Sequence, residues 1–268
     1  MSNNGSVRRI TPDAEAPEKL ALEMRRNSAT RFGALWRIAS ARMPTKWGMF
    51  DVVGFERDAA NGKAETALAI VHGDLTEDVP LLRIHSQCFT GEMLGSLRCD
   101  CHDQLEMAMR AIAHEGRGLV IYEYQEGRGI GLMAKLQAYE LQDAGIDTVE
   151  ANHALGFKAD CRDFSLPAAI LRHLGVKRVR LLSNNSRKVA ALAQSGIEVI
   201  DRLACEAVPN PHSLTYLRTK KERLGHALSL RHGESAGDPA DLQAGQSRRH
   251  LADSDRDRPV DARRAFQL

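Results

Sequence analysis

Residues 81–101 read LLRIHSQCFTGEMLGSLRCDC and contain three of the five cysteines in the chain, Cys88, Cys99 and Cys101. Two thiolates one residue apart, with a third thiolate upstream, can hold one Zn²⁺ on three sides of a tetrahedron. A structural zinc site normally has four protein ligands, whereas a catalytic site leaves one position for water. The spacing therefore predicts a metal that takes part in chemistry, since water bound to Zn²⁺ ionises near neutral pH.

Two other interpretations of these cysteines stay open. Free cysteines are often buried and then behave as small hydrophobic side chains. Against this interpretation, the neighbouring side chains are polar, which is unlike a core strand: Arg98, Asp100, His102 and Asp103. The second alternative is a closed structural site in which His85 or His102 is the fourth ligand.

The overall composition argues against several classes of protein. With 268 residues, of which 43% are hydrophobic, the chain suits one globular domain of about 150–200 residues plus extensions. The net charge is +2, so charge provides no case for binding nucleic acid or a membrane surface. No apolar run approaches the roughly 18 residues of a membrane helix, and the N-terminus lacks a signal-peptide core. Thiols arranged for a metal, without an export signal, indicate a reducing cytoplasm.

Hydrophobic patterning predicts an α/β fold with mixed α+β character. Short apolar, β-branched runs predict strands at 50–55, 66–71, 81–85, 119–122, 179–183 and 197–200. Helical periodicity predicts helices over 130–144 and 187–194, one helix opened by a capping box of Asp103 and Glu106, and one capped by Ser165 and ended by Gly175. Because the early strands resemble hairpins, we expect a layered domain with a mixed β-sheet flanked by helices and the zinc site on a loop.

Both ends of the chain differ from its middle. Residues 1–36 form a polar N-terminal extension that we expect to be partly disordered, although an amphipathic helix over 19–36 fits its pattern. Residues 229–268 include a run that alternates Asp with Arg, and this segment cannot bury enough apolar surface to offset its ordering entropy. We therefore expect a folded domain at 37–228 followed by a disordered polar tail.

Three polar segments suit a nucleotide, and each has a simpler alternative. The glycine-rich stretch at Glu126–Gly129 offers free N–H groups and the Arg128 guanidinium to a phosphate, although a flexible turn explains it equally well. The segment from Ser183 to Lys188 can bond a base edge and a phosphate, or can simply cap a helix. Asp160 and Arg162 form either a surface ion pair or a base beside a phosphate clamp.

Together these stretches resemble GTP cyclohydrolase II, the enzyme that opens the imidazole ring of GTP at the entrance to riboflavin synthesis. The resemblance runs from about residue 37 to residue 228, which it assigns to a catalytic domain. Besides the cysteine motif it includes Met43-Pro44-Thr45, Gln125-Glu126-Gly127-Arg128, Asp147-Thr148-Val149-Glu150-Ala151-Asn152, Asp160-x-Arg162-Asp163-Phe164, Asn184-Asn185, Tyr216-Leu217, Thr219-Lys220 and Gly225-His226.

The resemblance implies a role for each matching position. Cys88, Cys99 and Cys101 match the ligands of one Zn²⁺ per chain, and the catalytic positions are Tyr139, Asp160 and Arg162. The positions that contact GTP are Arg83, Ile84, His85, Ser86, Gln87, Gln104, Glu126, Gly127, Arg128, Thr148, Ser183 and Lys188. In the family, zinc-bound hydroxide adds to C8 of guanine, and formate and diphosphate leave a diaminopyrimidine ribosyl phosphate. The resemblance further implies Mg²⁺ on the triphosphate, a homodimer and a cytoplasmic location.

The role of Arg162 and the extent of the reaction stay open. Arg162 is either a nucleophile at the α-phosphorus, with Asp160 as its base, or a clamp on developing charge, which is physically simpler because guanidinium keeps its proton. Gln87 and Cys161 each stand where the family commonly has Glu, which bears on substrate identity. The alternatives are a related enzyme that retains the formyl group or serves secondary metabolism or pyrimidine catabolism, and a non-catalytic nucleotide- or zinc-binding protein.

Overall fold

A computed structural model describes residues 35–58 and 64–230. Within these ranges the chain forms a seven-stranded sheet in the order β1-β2-β3-β5-β4-β6-β7. The strands are β1 (Leu35–Thr45), β2 (Gly48–Asp58), β3 (Ala64–His72), β4 (Leu81–Ser86), β5 (Gly118–Glu123), β6 (Arg178–Leu182) and β7 (Glu198–Leu203). Strands β1 and β2, β2 and β3, and β3 and β5 pair antiparallel. Strands β5 and β4, β4 and β6, and β6 and β7 pair in parallel. The expected mixed sheet is therefore confirmed.

Helices connect the parallel strands, which cannot be joined by tight turns, and one further helix follows the last strand. They are α1 (Phe89–Glu92), α2 (Cys101–Glu115), α3 (Leu132–Asp143), α4 (Thr148–Ala154), α5 (Ser165–His173), α6 (Ser186–Gln194) and α7 (Leu214–Leu224), with a 3₁₀ turn at Glu126–Gly129. No helix in residues 35–58 and 64–230 has the length and apolar content needed to span a bilayer.

Side chains of β4 alternate between two hydrophobic cores, one on each face of the sheet. Leu82 and Ile84 belong to the core that includes α5 and α6, while Leu81 belongs to the core that includes α2. Arg83 and His85 share the face of Leu81 by this alternation. The strand therefore carries a basic and an imidazole side chain toward the α2 side, close to its carboxyl end.

The structure differs from the predicted elements at the start of the described region. Leu35 and Trp36 pair with Arg57 and Glu56 of β2. Because their backbone is part of the sheet, the helix expected over 19–36 does not include these two residues. Residues 19–34 lie outside the described residues, as do residues 231–268 of the predicted tail. Strand β1 and helices α1, α4 and α7 were not among the predicted elements.

Two predicted helix caps are also wrong. Helix α2 begins at Cys101, and Glu106 of the predicted capping box instead accepts a hydrogen bond from Lys46 at 2.7 Å. Ser165 is the first residue of α5 rather than its cap. The Asp163 carboxylate accepts from both the N–H and the hydroxyl of Ser165, at 2.9 and 2.6 Å. In both places a neighbouring charged side chain competes for the group that was assigned to the cap.

Candidate active site

The predicted site residues gather at the carboxyl ends of β4, β5 and β6, where open α/β sheets bind their ligands. Two adjoining cavities of about 590 and 540 Å³ lie at this edge. Both cavities are lined by Ser86, Cys101, Arg128, Arg162 and Tyr216. Because they share these walls, the cavities lie side by side, and we refer to the two together as the cleft. We call the larger end, which holds Cys88 and Cys99, the thiol chamber, and the other end, which holds Arg83 and Lys188, the cationic chamber.

The three predicted metal ligands come together in the thiol chamber. The sulfur atoms of Cys88, Cys99 and Cys101 lie within 4.8 Å of one another, and those of Cys88 and Cys99 are 3.6 Å apart. Zinc–sulfur bonds of about 2.3 Å in a tetrahedron separate two sulfurs by about 3.8 Å, so the spacing fits. Among the described residues this cluster contains no histidine, which removes the support for a closed site with His85 or His102.

Gly91 of α1 brings the backbone close to the cluster. A Cβ at this position would lie 3.0 Å from the Cys99 sulfur and 3.3 Å from the Cys88 sulfur. Only glycine therefore leaves the sulfurs where they are. Three thiols cradled at this distance, and lining an open cavity, form a donor set suited to a thiophilic cation such as Zn²⁺.

Lys135 of α3 supplies positive charge to the thiol chamber. Its ammonium lies 3.2 Å from the Cys88 sulfur and 2.8 Å from a Glu126 carboxylate oxygen. Burial alone would lower the pKa of Lys135, but the Cys88 thiolate and other neighbours hold it above its usual range. Hydrogen bonds from Cys101 and Cys99 in turn hold the pKa of the Cys88 thiol far below its usual range. The structure thus favours a thiolate at Cys88.

Tyr139 and Glu126 lie beside this lysine. The Tyr139 ring is 5.6 Å from the Lys135 ammonium, and burial raises the pKa of its hydroxyl. One carboxylate oxygen of Glu126 accepts from the N–H of Phe89 at 2.6 Å, and the other accepts from the N–H of Gly127 at 2.9 Å. Glu126 therefore ties the 3₁₀ turn to the start of α1, next to a predicted metal ligand.

Five basic side chains line the cationic chamber: Arg83, Arg128, Arg162, Lys188 and Lys220. Arg83 donates to the Leu182 carbonyl at 3.1 Å and to the Gln104 side chain at 2.6 Å. Gln104 donates in turn to Asp100, which also accepts from Lys220 at 2.6 Å. This buried network holds cations from β4 and α7 on two sides of one space.

The charge of this chamber is only partly neutralised by protein groups. Lys188 donates to the Ile84 carbonyl at 2.7 Å, and burial, followed by the charges of Arg83 and Arg162, lowers its pKa well below the usual range. Burial also lowers the pKa of His85 to about 4 and raises the pKa of Glu123 to about 7. Cations that are costly to bury next to one another favour a ligand with several negative charges.

Asp160 and Arg162 form a buried ion pair rather than a surface pair. Two parallel hydrogen bonds join them, at 2.9 and 2.8 Å, and their side chains are 9% and 12% exposed. Burial by itself would raise the pKa of Asp160, but the hydrogen bonds and charge of Arg162 hold it below its usual value. Arg162 lines both chambers, so it borders the space beside the thiols and the space beside the other cations.

The glycine-rich loop has a strained backbone. Gly127 and Arg128 both have φ of 61°, in the left-handed region that non-glycine residues rarely adopt. The Arg128 carbonyl accepts from the N–H of Cys161 at 3.0 Å, and its guanidinium lies 5.4 Å from the Tyr216 ring. Strain of this kind is retained mostly at functional sites, so it favours a functional role for the loop over the interpretation as a flexible turn.

The remaining predicted residues divide between the two chambers, with two exceptions. Gln87, Gly127 and Thr148 line the thiol chamber, and Gln104, His85 and Ser183 line the cationic chamber. The Ile84 side chain instead lies fully buried in the hydrophobic core, and only its carbonyl takes part, through Lys188. Asp160 lines neither chamber and reaches the cleft through Arg162.

Several residues that line the cleft were missing from the predicted set, and three of them are Lys135, Tyr216 and Lys220. Helical spacing offered a signal for each of them, since Lys135 lies four residues before Tyr139, and Tyr216 four residues before Lys220. Residues four apart share a helix face. A basic residue in a helix is nevertheless usually exposed, which is why the pattern alone did not single out Lys135 and Lys220.

Comparison with known proteins adds independent findings. The family model for GTP cyclohydrolase II matches residues 36–204. The GTP cyclohydrolase-2 of Shigella boydii serotype 18 is 53% identical over 196 residues, covering 73% of this chain and 98% of the relative. The enzymes of the same name from Shewanella amazonensis and Yersinia pestis are 50% and 52% identical, covering 73% of this chain and 94% and 98% of theirs. A solved two-domain 3,4-dihydroxy-2-butanone 4-phosphate synthase from A. baumannii is 19% identical at a TM-score of 0.38, over 70% of this chain and 44% of that one.

Proposed function

Because the chain belongs to the GTP cyclohydrolase II family of hydrolases, we propose that it uses Zn²⁺ to open the imidazole ring of GTP, releasing formate and diphosphate at the first step of riboflavin biosynthesis. One observation carries the proposal, namely two adjoining chambers, of which one is lined by three thiols and the other by five Arg or Lys side chains, with Cys101, Arg128 and Arg162 lining both. A purine nucleoside triphosphate has a ring for the first end and about four negative charges for the second.

The thiol chamber is the proposed site of ring opening. Cys88, Cys99 and Cys101 would hold the zinc, and their spacing and the open cavity beside them support this role. Bound there, Zn²⁺ supplies a Lewis acid and a water that ionises near neutral pH. Tyr139, Gln87 and Thr148 border the same space, where we propose that they orient the guanine base.

The cationic chamber is the proposed site of the triphosphate. Arg83, Lys188, Ser183 and Gln104 would surround the phosphates, together with the side chain of Arg128, which lines both chambers. Mg²⁺ would enter with the nucleotide. The partly compensated cations support this assignment, because an anionic ligand relieves their mutual repulsion.

Arg162 is proposed to be a clamp at the α-phosphate. Its position in both chambers supports contact with the middle of the substrate. The paired Asp160 carboxylate has a lowered pKa, which makes it a weak base for removing a proton from guanidinium. A charged arginine held by two hydrogen bonds can instead stabilise charge that develops on the phosphate.

The wider expectations are proposals of the same kind. We propose that residues 37–228 form the catalytic domain, that two copies associate as a homodimer, and that the enzyme works in the cytoplasm. The family resemblance supports each of them, and sedimentation of the purified protein would measure the association directly.

Product analysis tests the proposed reaction. Purified, zinc-loaded protein is incubated with GTP and Mg²⁺, while formate and diphosphate are measured separately. We expect equal amounts of both products. Diphosphate without formate would indicate an enzyme that retains the formyl group, and the absence of both products would contradict the proposed function and favour a binding protein. A Cys99→Ser, Cys101→Ser variant serves as the control that lacks the metal site.

A further inference from the structure

Lys135 lines the thiol chamber and makes three hydrogen bonds there, and none of the roles described so far accounts for them. Its ammonium has three N–H donors. They face three different acceptors: the Cys88 sulfur at 3.2 Å, the Thr90 hydroxyl at 2.8 Å and a Glu126 carboxylate oxygen at 2.8 Å. The side chain is 11% exposed. A lysine buried with every donor engaged has one well-defined position, unlike a lysine on a solvated helix face.

We propose that Lys135 is a positioning residue that neutralises the three-thiol cluster and fastens the glycine-rich loop to it through Glu126. Three thiolates and one divalent cation leave one net negative charge, and the Glu126 carboxylate adds another beside it. Within residues 35–58 and 64–230, Lys135 is the one cation that hydrogen-bonds to either group. Without it, two negative charges would repel each other in a buried space.

The same contacts join two loops that must act together. Glu126 accepts from Lys135 through one oxygen and from the N–H of Phe89 through the other. Phe89 follows Cys88 in the chain, so Cys88, Lys135, Glu126 and Phe89 close a ring of hydrogen bonds around one peptide unit. These hydrogen bonds therefore join the segment that carries Cys88 to the glycine-rich loop at Glu126–Gly129. This role rests on the proposed function, because it assumes that the three thiols bind zinc.

The substitution Lys135→Met tests this role because it keeps the side-chain length and removes the charge and the donors. Zinc affinity, measured by competition with a chromogenic chelator, should fall about 10–100-fold, the usual effect of losing a hydrogen bond to a metal ligand. Lys135→Arg, which keeps the charge, should recover part of the loss. Lys177→Met is the matched control, because Lys177 is exposed and should leave the affinity unchanged.

A spectroscopic measurement separates positioning from a general effect on folding. In protein loaded with Co²⁺, the thiolate-to-cobalt absorption band should shift in Lys135→Met, since Cys88 loses its hydrogen bond, and stay unchanged in Lys177→Met. An unshifted band together with wild-type zinc affinity would overturn the proposal.

A double variant covers the case in which Lys135→Met does not fold because Glu126 is left unpaired. Lys135→Met with Glu126→Gln removes both charges of the pair, so the fold should persist while zinc affinity still falls. Wild-type affinity in the double variant would mean that Lys135 serves only to neutralise Glu126, which overturns the role at the metal. A wild-type protein that binds zinc but releases neither formate nor diphosphate would refute the proposed function and leave these affinity measurements valid.

Discussion

Replacing Gly91 with alanine tests whether the three thiols hold a metal in the arrangement described. Gly91 lies in α1 and does not have a positive φ, so alanine is compatible with its backbone. The new Cβ would lie 3.0 Å from the Cys99 sulfur and 3.3 Å from the Cys88 sulfur, which forces the sulfurs to move by a few tenths of an ångström. Metal–ligand distances tolerate a change of only about 0.2 Å.

The size of the effect on zinc affinity depends on whether the close contact with the new methyl group is present in the metal-free or in the metal-bound state. Without metal, the cysteine side chains can rotate away from the new methyl group, and alanine restricts the unfolded chain by about 0.4–1 kcal/mol in favour of folding. With metal, the sulfurs are held by the metal, and overpacking of this kind costs about 1–3 kcal/mol. If this cost falls on the metal-bound state alone, zinc affinity should fall by about 5- to 150-fold.

The assay is zinc affinity by chelator competition, together with the melting temperature of the metal-free protein. Gly54→Ala is the matched control, because its Cβ would meet the Ala39 carbonyl at an ordinary distance of 3.9 Å. We expect normal affinity in the control and a clear loss in Gly91→Ala. Equal affinity in the two variants would refute the assignment of the metal to this cluster. A large fall in the melting temperature of metal-free Gly91→Ala would show that the strain is borne by the fold instead.

Four further predictions concern the metal ligands, the α-phosphate clamp, a buried carboxyl and the tail. A Cys99→Ser, Cys101→Ser variant should lose its zinc by metal analysis while keeping its circular dichroism, because the sheet has its own cores; full zinc occupancy would contradict the ligand assignment. Arg162→Ala should reduce diphosphate release by about 10²–10³-fold, whereas Arg162→Lys should keep partial activity if the residue is a clamp and almost none if it is a nucleophile. Burial raises the pKa of Glu123 from 4.5 to about 7, so the folded state binds this proton more tightly than the unfolded state does. The unfolding free energy of the wild type, relative to that of Glu123→Gln, should therefore fall as pH rises from about 4.5 through 7, by at most about 1.4 kcal/mol per pH unit. Parallel curves of stability against pH for the two proteins would contradict this. Deleting residues 231–268, which lie beyond the family match, should leave GTP turnover unchanged, and a large loss would mean that the tail contributes to the site.

Local patterns were sufficient for much of the fold and for the metal cluster. Short apolar, β-branched runs predicted β2 to β7. The apolar signature is most continuous in β5, whose first four residues are all buried. The spacing of Cys99 and Cys101 restricts how far two sulfurs can separate, so the cluster could be expected before any tertiary contact was known. The family resemblance then supplied roles for positions, such as Asp160 and Arg162, whose local pattern fitted an ordinary surface ion pair equally well.

Contacts between distant elements were decided only by the tertiary structure. Lys220 meets Asp100 across 120 positions of sequence, and Arg83 reaches the Leu182 carbonyl across 99. Lys135 meets the Cys88 sulfur across 47 positions. Periodicity reports which side of an element is buried but not which other element covers it. The sequence by itself therefore determined the three thiols and the strands that carry the site. The packing of α2, α3 and α7 against the strand ends decided which cations complete the site, because burial of a charge depends on the partner that neutralises it.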